Sequence, residues 1–294
     1  MSDFYLNKLE ESIHCSNLSR TEKLLRHPIK AVSKKLITET LSRINKPLKI
    51  KAKTFFEEWM TLVWGEVVSQ AIFANGFFEE GLTRMLLRYL RPGMTFFDVG
   101  AHFGYFTMLA SRIVGADGQV HAFEPTKSTY KILSLNSRHN KHIYLNNLAV
   151  WSEVGVMTFN DYGEKYSAFN SFCQARLDKK TREECVPIKY EIQMVSLDHY
   201  NYKNHLKPDF VKIDAESAEY NILLGMDRTI REIRPIITIE VGDMDLPNVV
   251  PSRELVTFLM KKRYEPYEFN GQSIVRHKVK NKYSYDNILF LPKK

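Results

Sequence analysis

From Thr95 onward the sequence alternates short apolar runs with amphipathic stretches, and this alternation limits the possible folds more than any other feature. Strand-like runs lie at Thr95–Val99, Gln119–Phe123, Ile143–Leu145, Phe210–Ile213 and Ile236–Val241, with helical spacing at Gly104–Val114, Lys127–His139, Ala218–Leu224 and Ser252–Lys261. Strands joined through helices run parallel, and a parallel sheet is covered on both faces. The predicted class is α/β, with a Rossmann-like, mostly parallel sheet. Tyr264–Phe269 and Asn287–Leu291, separated by Asn270-Gly271, predict an antiparallel closing hairpin.

One interval breaks the pattern. Residues 159–195 are polar and aromatic, and inside them Val186, Ile188, Tyr190, Ile192 and Met194 alternate as a strand, with Pro187 predicting an edge position. An insertion after the third strand suits acceptor-binding loops or a packed decoration. Ahead of the sheet, Glu79–Leu90 predicts a helix stopped by Arg91-Pro92-Gly93, and Leu48–Thr54 a short strand. Earlier still, Ile29, Val32, Leu36, Leu41 and Ile44 recur at helical spacing among Lys30, Lys34, Lys35 and Arg43. The expected organisation is a basic amphipathic segment 1–53, a helical lead-in 54–92, and a domain 93–294 with an insertion at about 159–195.

Charge is informative by position. Residues 1–53 hold 12 Lys and Arg against 5 Asp and Glu, whereas the other 241 residues hold 30 against 29. The basic character belongs to a leader, which weakens a reading as a nucleic-acid binder. The helix at 28–46 either packs its apolar side on the body, the favoured reading, or touches an anionic membrane surface. No apolar run reaches the ~18 residues of a membrane span, and residues 1–5 lack a secretory pattern. Cys15, Cys173 and Cys185 are odd in number and lack C-x-x-C spacing, so a cytoplasmic protein is expected. His139-x-x-His142 has no third ligand at useful spacing, so no metal is expected.

The chemistry concentrates at strand ends. Phe96-Phe97-Asp98-Val99-Gly100-Ala101-His102-Phe103-Gly104 is a strand, an acid, a Gly-x-x-x-Gly turn and a helix start. Gly100 and Gly104 allow a tight turn and close approach of a ligand. A dinucleotide site wants a glycine where His102 stands, and Asp98 would repel a pyrophosphate. An acid there suits a ligand carrying positive charge, such as the ammonium and sulfonium of S-adenosylmethionine. Glu124 ends the second strand, 26 residues after Asp98, where a carboxylate accepts from ribose hydroxyls. Asn147 and Ala149 follow the third strand, where an adenine would be held. Asp214 and Glu240 end two further strands, and unpaired buried charges are too costly for all four acids to be simple core.

Asp98-Val-Gly-Ala-His-Phe-Gly104, Phe123-Glu-Pro125 and Lys212-Ile-Asp-Ala-Glu-Ser-Ala-Glu219 resemble the signature stretches of the FkbM-type S-adenosylmethionine-dependent methyltransferases, as do Ser196-Leu-Asp198 and Asn287-Ile-Leu-Phe290. The resemblance covers roughly residues 78–292. It departs at His102-Phe103, where the family usually has Asn-Ile, and at Ala215-Glu216-Ser217, where it usually has Val-Glu-Gly. It implies a class I methyltransferase sheet and O-methylation of a sugar, glycan or secondary metabolite, often in surface polysaccharide synthesis. The cofactor-binding set expected is Asp98, Gly100, Ala101, His102, Gly104, Glu124, Asn147, Ala149 and Asp214. A hydroxyl needs a base as it attacks, and Asp214, Glu216 and His102 are the candidates, with Asp214 holding the methionine end or the acceptor. His102 reads equally as a helix-start residue with its ring toward solvent, and Lys212 as an ion-pair partner. The alternatives are an NAD-dependent sugar dehydrogenase or epimerase, a nucleic-acid methyltransferase using the basic leader, and a non-enzymatic interaction module.

Overall fold

The computed structural model describes residues 2–19, 21, 22, 25, 38, 47–170, 186–243 and 249–293. The basic amphipathic stretch 28–46 and its membrane reading therefore lie outside the described residues, apart from Thr38, as do Cys173 and Cys185.

The chain opens with α1 (Ser2–Asn17), the hairpin β1 (Lys49–Lys53) and β2 (Trp59–Val63), then α2 (Val67–Asn75) and α3 (Glu80–Tyr89). An α/β succession follows: β3 (Thr95–Val99), α4 (Tyr105–Val114), β4 (Gln119–Phe123), α5 (Lys127–Ser137) and β5 (Ile143–Asn146). Three strands come next, β6 (Ala149–Val150), β7 (Gly155–Asp161) and β8 (Ile188–Val195), with a 3₁₀ turn at Glu164–Phe169 between the last two. The succession resumes with α6 (Leu197–Asn204), β9 (Phe210–Ile213), α7 (Glu219–Leu224), β10 (Ile236–Val241), α8 (Ser252–Lys261), β11 (Tyr264–Phe269), β12 (Ile274–Arg276) and β13 (Asp286–Pro292).

Eight strands form the main sheet in the order β12-β11-β13-β10-β9-β3-β4-β5. The pairs from β10 through β9, β3 and β4 to β5 are parallel, whereas β13 enters antiparallel between β10 and β11. Both faces are buried, and successive residues feed opposite cores. Phe96 and Phe210 pack with α1, α3 and α4, while Phe97 and Val211 pack with α7 and α8 on the other side. This two-sided burial explains why the strands read as continuous apolar runs.

The closing hairpin forms, with one change. Asn270-Gly271 turns β11 back into the edge strand β12, and β13 pairs with the other side of β11. Asn270 Oδ1 accepts from the amides of Gln272 and Ser273, so this turn is satisfied locally.

Two readings of the flanking segments need correction. The boundary at 53/54 falls inside the β1–β2 hairpin, whose strands pair from Lys49–Val63 to Lys53–Trp59, so the lead-in contains a strand. The edge position expected from Pro187 holds only at the start of β8. Ile188 pairs with Asp161 alone, but Met194 pairs with both Gly155 of β7 and Ala149 of β6, and Val195 with Val150 of β6. Proline precedes the strand and costs no ladder hydrogen bond, so it does not bar a central position further along. The resulting three-stranded sheet begins at Ala149, ten residues before the insertion expected at Phe159.

Candidate active site

The carboxyl ends of β3, β4, β9 and β10 open on one cavity of about 440 Å³. It lies where the strand order reverses between β3 and β9, the place where open α/β sheets bind ligands. Asp214 follows β9, and its amide donates to the Val99 carbonyl at 3.2 Å, so the two loops run side by side. Gly100 has φ +74°, and a Cβ there would lie 1.7 Å from the Asp214 carbonyl oxygen; any side chain would push the loops apart. The amides of Gly100 and Ala101 both donate to the Phe123 carbonyl at 3.0 Å, which ties the glycine turn to β4.

Glu124 clamps the same turn. One oxygen accepts from the His102 amide and the other from the Thr126 amide, each at 2.9 Å. The side chain is buried at the cavity wall, and burial pushes its pKa up to about 7 against those two hydrogen bonds. The Thr126 hydroxyl adds a further hydrogen bond, and the remaining lone pair can accept from a ligand hydroxyl. Beside it, Phe123, Pro125, Leu148 and Ala149 supply apolar wall suited to a nucleobase.

The other end of the cavity is acidic. Asp214, Glu216, Glu240 and Glu79 line it with Lys212. Lys212 Nζ lies 3.0 Å from Asp98, 3.1 Å from the Gly100 carbonyl and 3.4 Å from Asp214. Burial disfavours its charge, yet Asp98 and Asp214 together hold its pKa above the ordinary lysine range. Burial, reinforced by Asp214 and Glu216, raises Glu240 well above the usual carboxylate range. Burial and then Asp214 push Glu79 up to about 7, while Tyr285 and Asn287 donate to it.

This donor set suits S-adenosylmethionine. Carboxylates stand at both ends of the cavity, apolar surface lies near Glu124, and the lysine is already held by two acids. A pyrophosphate would meet repulsion at the acidic end, whereas an ammonium and a sulfonium would meet complementary charge.

Residues 98–266, more than half of the chain, match the methyltransferase FkbM domain family. The chain belongs to the FkbM methyltransferase family. It is 31% identical over 179 residues to the 31-O-demethyl-FK506 methyltransferase FkbM of Streptomyces tacrolimicus, covering 53% of this chain and 68% of that one. Among solved structures, the FkbM methyltransferase from Methylobacillus flagellatus KT matches at 14% identity over 71% of this chain and 50% of that chain, with a TM-score of 0.41. Aeropyrum pernix fibrillarin with bound S-adenosylmethionine matches at 11% identity over 69% and 67%, with a TM-score of 0.39. The chain has the α/β class I methyltransferase-like fold, and its family implies S-adenosylmethionine as cofactor. Membership replaces the dehydrogenase, epimerase and interaction-module alternatives.

Of the residues singled out in the FkbM sequence, Gly100, Ala101, His102, Glu124, Ala149, Asp214, Glu216 and Glu240 line the cavity. Three do not. Asp98 is fully buried, paired with Lys212 and accepting from the Thr107 hydroxyl at 2.6 Å, so its direct contact with a ligand cation is corrected to an ion pair beneath the site. Asn147 lies beside the cavity and donates to the carbonyls of Glu124 (2.8 Å) and Pro125 (3.0 Å), which makes its NH₂ a backbone clamp. Gly104 has φ +91° and a Cβ there would meet Leu133 at 2.6 Å, so it packs the helix start against α5. The ring of His102 is turned inward and not to solvent. Its Nε2 lies 2.8 Å from the Ser167 hydroxyl, and burial lowers its pKa, leaving a neutral imidazole near pH 7. The expected ion-pair role of Lys212 is what the structure shows. His142 contacts Ser111 at 2.8 Å, away from any cluster of ligating side chains among the described residues.

Glu79 and Tyr285 are the cavity residues that sequence reasoning missed. Glu79 sits just ahead of α3 and reads as an ordinary helix-start acid, while Tyr285 lies in a polar run before β13. Nothing in the spacing links two residues 206 positions apart.

The departures from the usual family residues have a backbone consequence. His102 and Ser217 have φ of 50° and 79°, in the left-handed region, as has Glu216 (46°), where the usual family residue is kept. Asparagine and glycine reach that region at lower cost. The Ser217 hydroxyl is also buried without a hydrogen-bond partner. Ser217→Gly is expected to stabilise the protein by about 1 kcal/mol, the strain and desolvation relieved exceeding the added chain entropy. Urea unfolding checks this, and a lower midpoint would show that Ser217 is not strained.

Proposed function

We propose that this chain transfers the methyl group of S-adenosylmethionine to a hydroxyl oxygen of a glycan or secondary metabolite. The observation that carries the reading is the cavity itself. A carboxylate clamp and an apolar wall stand at one end, an acidic group at the other, and Val67, Val68, Ile72 and Phe78 add apolar surface from α2 and the segment after it. That last surface belongs to segments outside the family match at 98–266, which suits an acceptor more than the shared cofactor. The relative from Streptomyces tacrolimicus, by its name a 31-O-demethyl-FK506 methyltransferase, supports oxygen as the receiving atom.

The cofactor supplies an electrophilic methyl group when bound. Glu124 accepts from the ribose hydroxyls, and the Gly100–Ala101 turn lets the ligand lie against backbone. Asp214, steadied by Lys212 at 3.4 Å, faces the ammonium end. Methyl transfer is an in-line displacement, so fixing the acceptor oxygen opposite the leaving sulfur supplies much of the acceleration. The described part of the insertion adds Phe159, Ser167, Ala168 and Asn170 to the cavity wall, which limits access of bulk water.

Incubation with methyl-labelled S-adenosylmethionine and separate pools of glycans, hydroxylated metabolites and RNA tests the reading. The expected product is a base-stable methyl ether on a glycan or metabolite. Label on RNA or on nitrogen would overturn it.

A further inference from the structure

We propose that Glu79, anchored by Tyr285 and Asn287, is the proton acceptor for the attacking hydroxyl, an inference that rests on the O-methyltransfer reading. Glu79 and Tyr285 line the cavity beside Asp214, Glu216 and Glu240. One Glu79 oxygen accepts from the Tyr285 hydroxyl and the other from Asn287 Nδ2 at 3.2 Å, so the carboxylate is held in one orientation. The three residues come from the segment before α3, the segment before β13 and β13 itself, all outside the 98–266 match.

Asp214 and His102 are less suited. Asp214 is already engaged by the Lys212 ammonium at 3.4 Å. His102 has Nε2 engaged by Ser167 at 2.8 Å, and burial lowers its proton affinity. Glu79 is partly buried, which pushes it up to about 7, so near neutral pH it is partly ionised and still basic enough to take a proton. The charged and titratable groups acting on it are Asp214, which raises its proton affinity, and Lys212 and Tyr285, which lower it; Tyr105 lies within electrostatic reach. Tyr285 is half exposed as a residue, and its hydroxyl donates to the Glu79 carboxylate.

The step balances. The acceptor oxygen bonds to the methyl carbon, the carbon–sulfur bond breaks with its electron pair going to sulfur, and the hydroxyl proton passes to Glu79. Protonated Glu79 then releases that proton to water, restoring the starting state.

Titration calorimetry in two buffers of different ionisation heat tests this on the full chain, with S-adenosylmethionine and S-adenosylhomocysteine as the probes. The two ligands share ribose and ammonium and differ by the methyl-sulfonium charge, so the difference in protons released reports a group facing the reacting methyl. In the wild type at pH 7 the methylated ligand is expected to release up to about half a proton more. Glu79→Gln should abolish that difference while holding S-adenosylhomocysteine within about threefold of wild type. Tyr285→Phe removes a donor to the carboxylate and should move the difference to higher pH. A difference that survives in Glu79→Gln, or is missing from a wild type that binds both ligands, overturns the proposal. A wild type that binds neither ligand overturns the methyltransferase reading beneath it. On the acceptor found by labelled transfer, Glu79→Gln should lower kcat about 10²- to 10⁴-fold, and an unchanged kcat would also overturn the proposal.

Discussion

Lys212→Met is expected to destabilise the protein by about 3–5 kcal/mol, the usual result of leaving a buried charge without its partner. Asp98 and Lys212 are adjacent across the β3–β9 pair, and both side chains are almost wholly buried. Removing the ammonium leaves the Asp98 carboxylate with the Thr107 hydroxyl alone, and also frees Asp214 from its counter-charge at 3.4 Å. Thermal unfolding would show a midpoint lower by about 10 °C for a domain of this size. The double variant Asp98→Asn, Lys212→Met removes both charges and should recover most of the loss. A single variant as stable as wild type would contradict the assignment of Asp98 as a structural ion-pair partner. The double variant should still bind S-adenosylhomocysteine more weakly than wild type, because Asp214 has lost its support.

Glu124→Gln is expected to weaken S-adenosylhomocysteine by about 10- to 100-fold, roughly the worth of one charge-assisted hydrogen bond or two. The substitution keeps the shape but turns an NH₂ toward either the His102 or the Thr126 amide, both of which are donors at 2.9 Å. The glycine turn then loses one of its ties to β4. The sign of the pH effect follows from burial, which raises Glu124 from an ordinary 4.5 to about 7. Between those values the folded protein holds a proton that the unfolded chain has released. Ionisation of this group therefore works against the fold as pH rises through the window, and Glu124 adds a fall in stability there. Ribose hydroxyls favour the ionised form, so ligand affinity should rise as pH passes through 7. Calorimetry across pH 5.5–8.5 checks this. An affinity independent of pH in the wild type, or a pH limb unchanged in Glu124→Gln, would place the ribose elsewhere.

The strands of the main sheet were legible because they are buried on both faces and so appear as unbroken apolar runs. Thr95–Val99, Gln119–Phe123, Phe210–Ile213 and Ile236–Val241 fall where expected. The β1–β2 hairpin was half read, since Trp59–Val63 lies in an aromatic stretch without clean alternation. At the site, position along the sheet was readable and side-chain partnership was not. Strand-end acids mark the functional edge whether or not they touch ligand, so Asp98 and Glu124 look alike in sequence. Cross-strand neighbours separate them: Lys212 beneath Asp98, two backbone amides around Glu124. The hydrogen bonds that Asn147 makes to backbone carbonyls have no sequence signature. Glu79 and Tyr285 meet only through the tertiary fold, and no periodicity could bring them together.

The central claim is that this cavity holds a nucleoside bearing positive charge and no phosphate. Titration calorimetry of the full chain with S-adenosylhomocysteine and, separately, with NAD tests it most directly. The account predicts saturable binding of S-adenosylhomocysteine and none of NAD at the same concentrations. Binding of NAD without S-adenosylhomocysteine would contradict it, because the acidic end would then be tolerating the pyrophosphate it should repel.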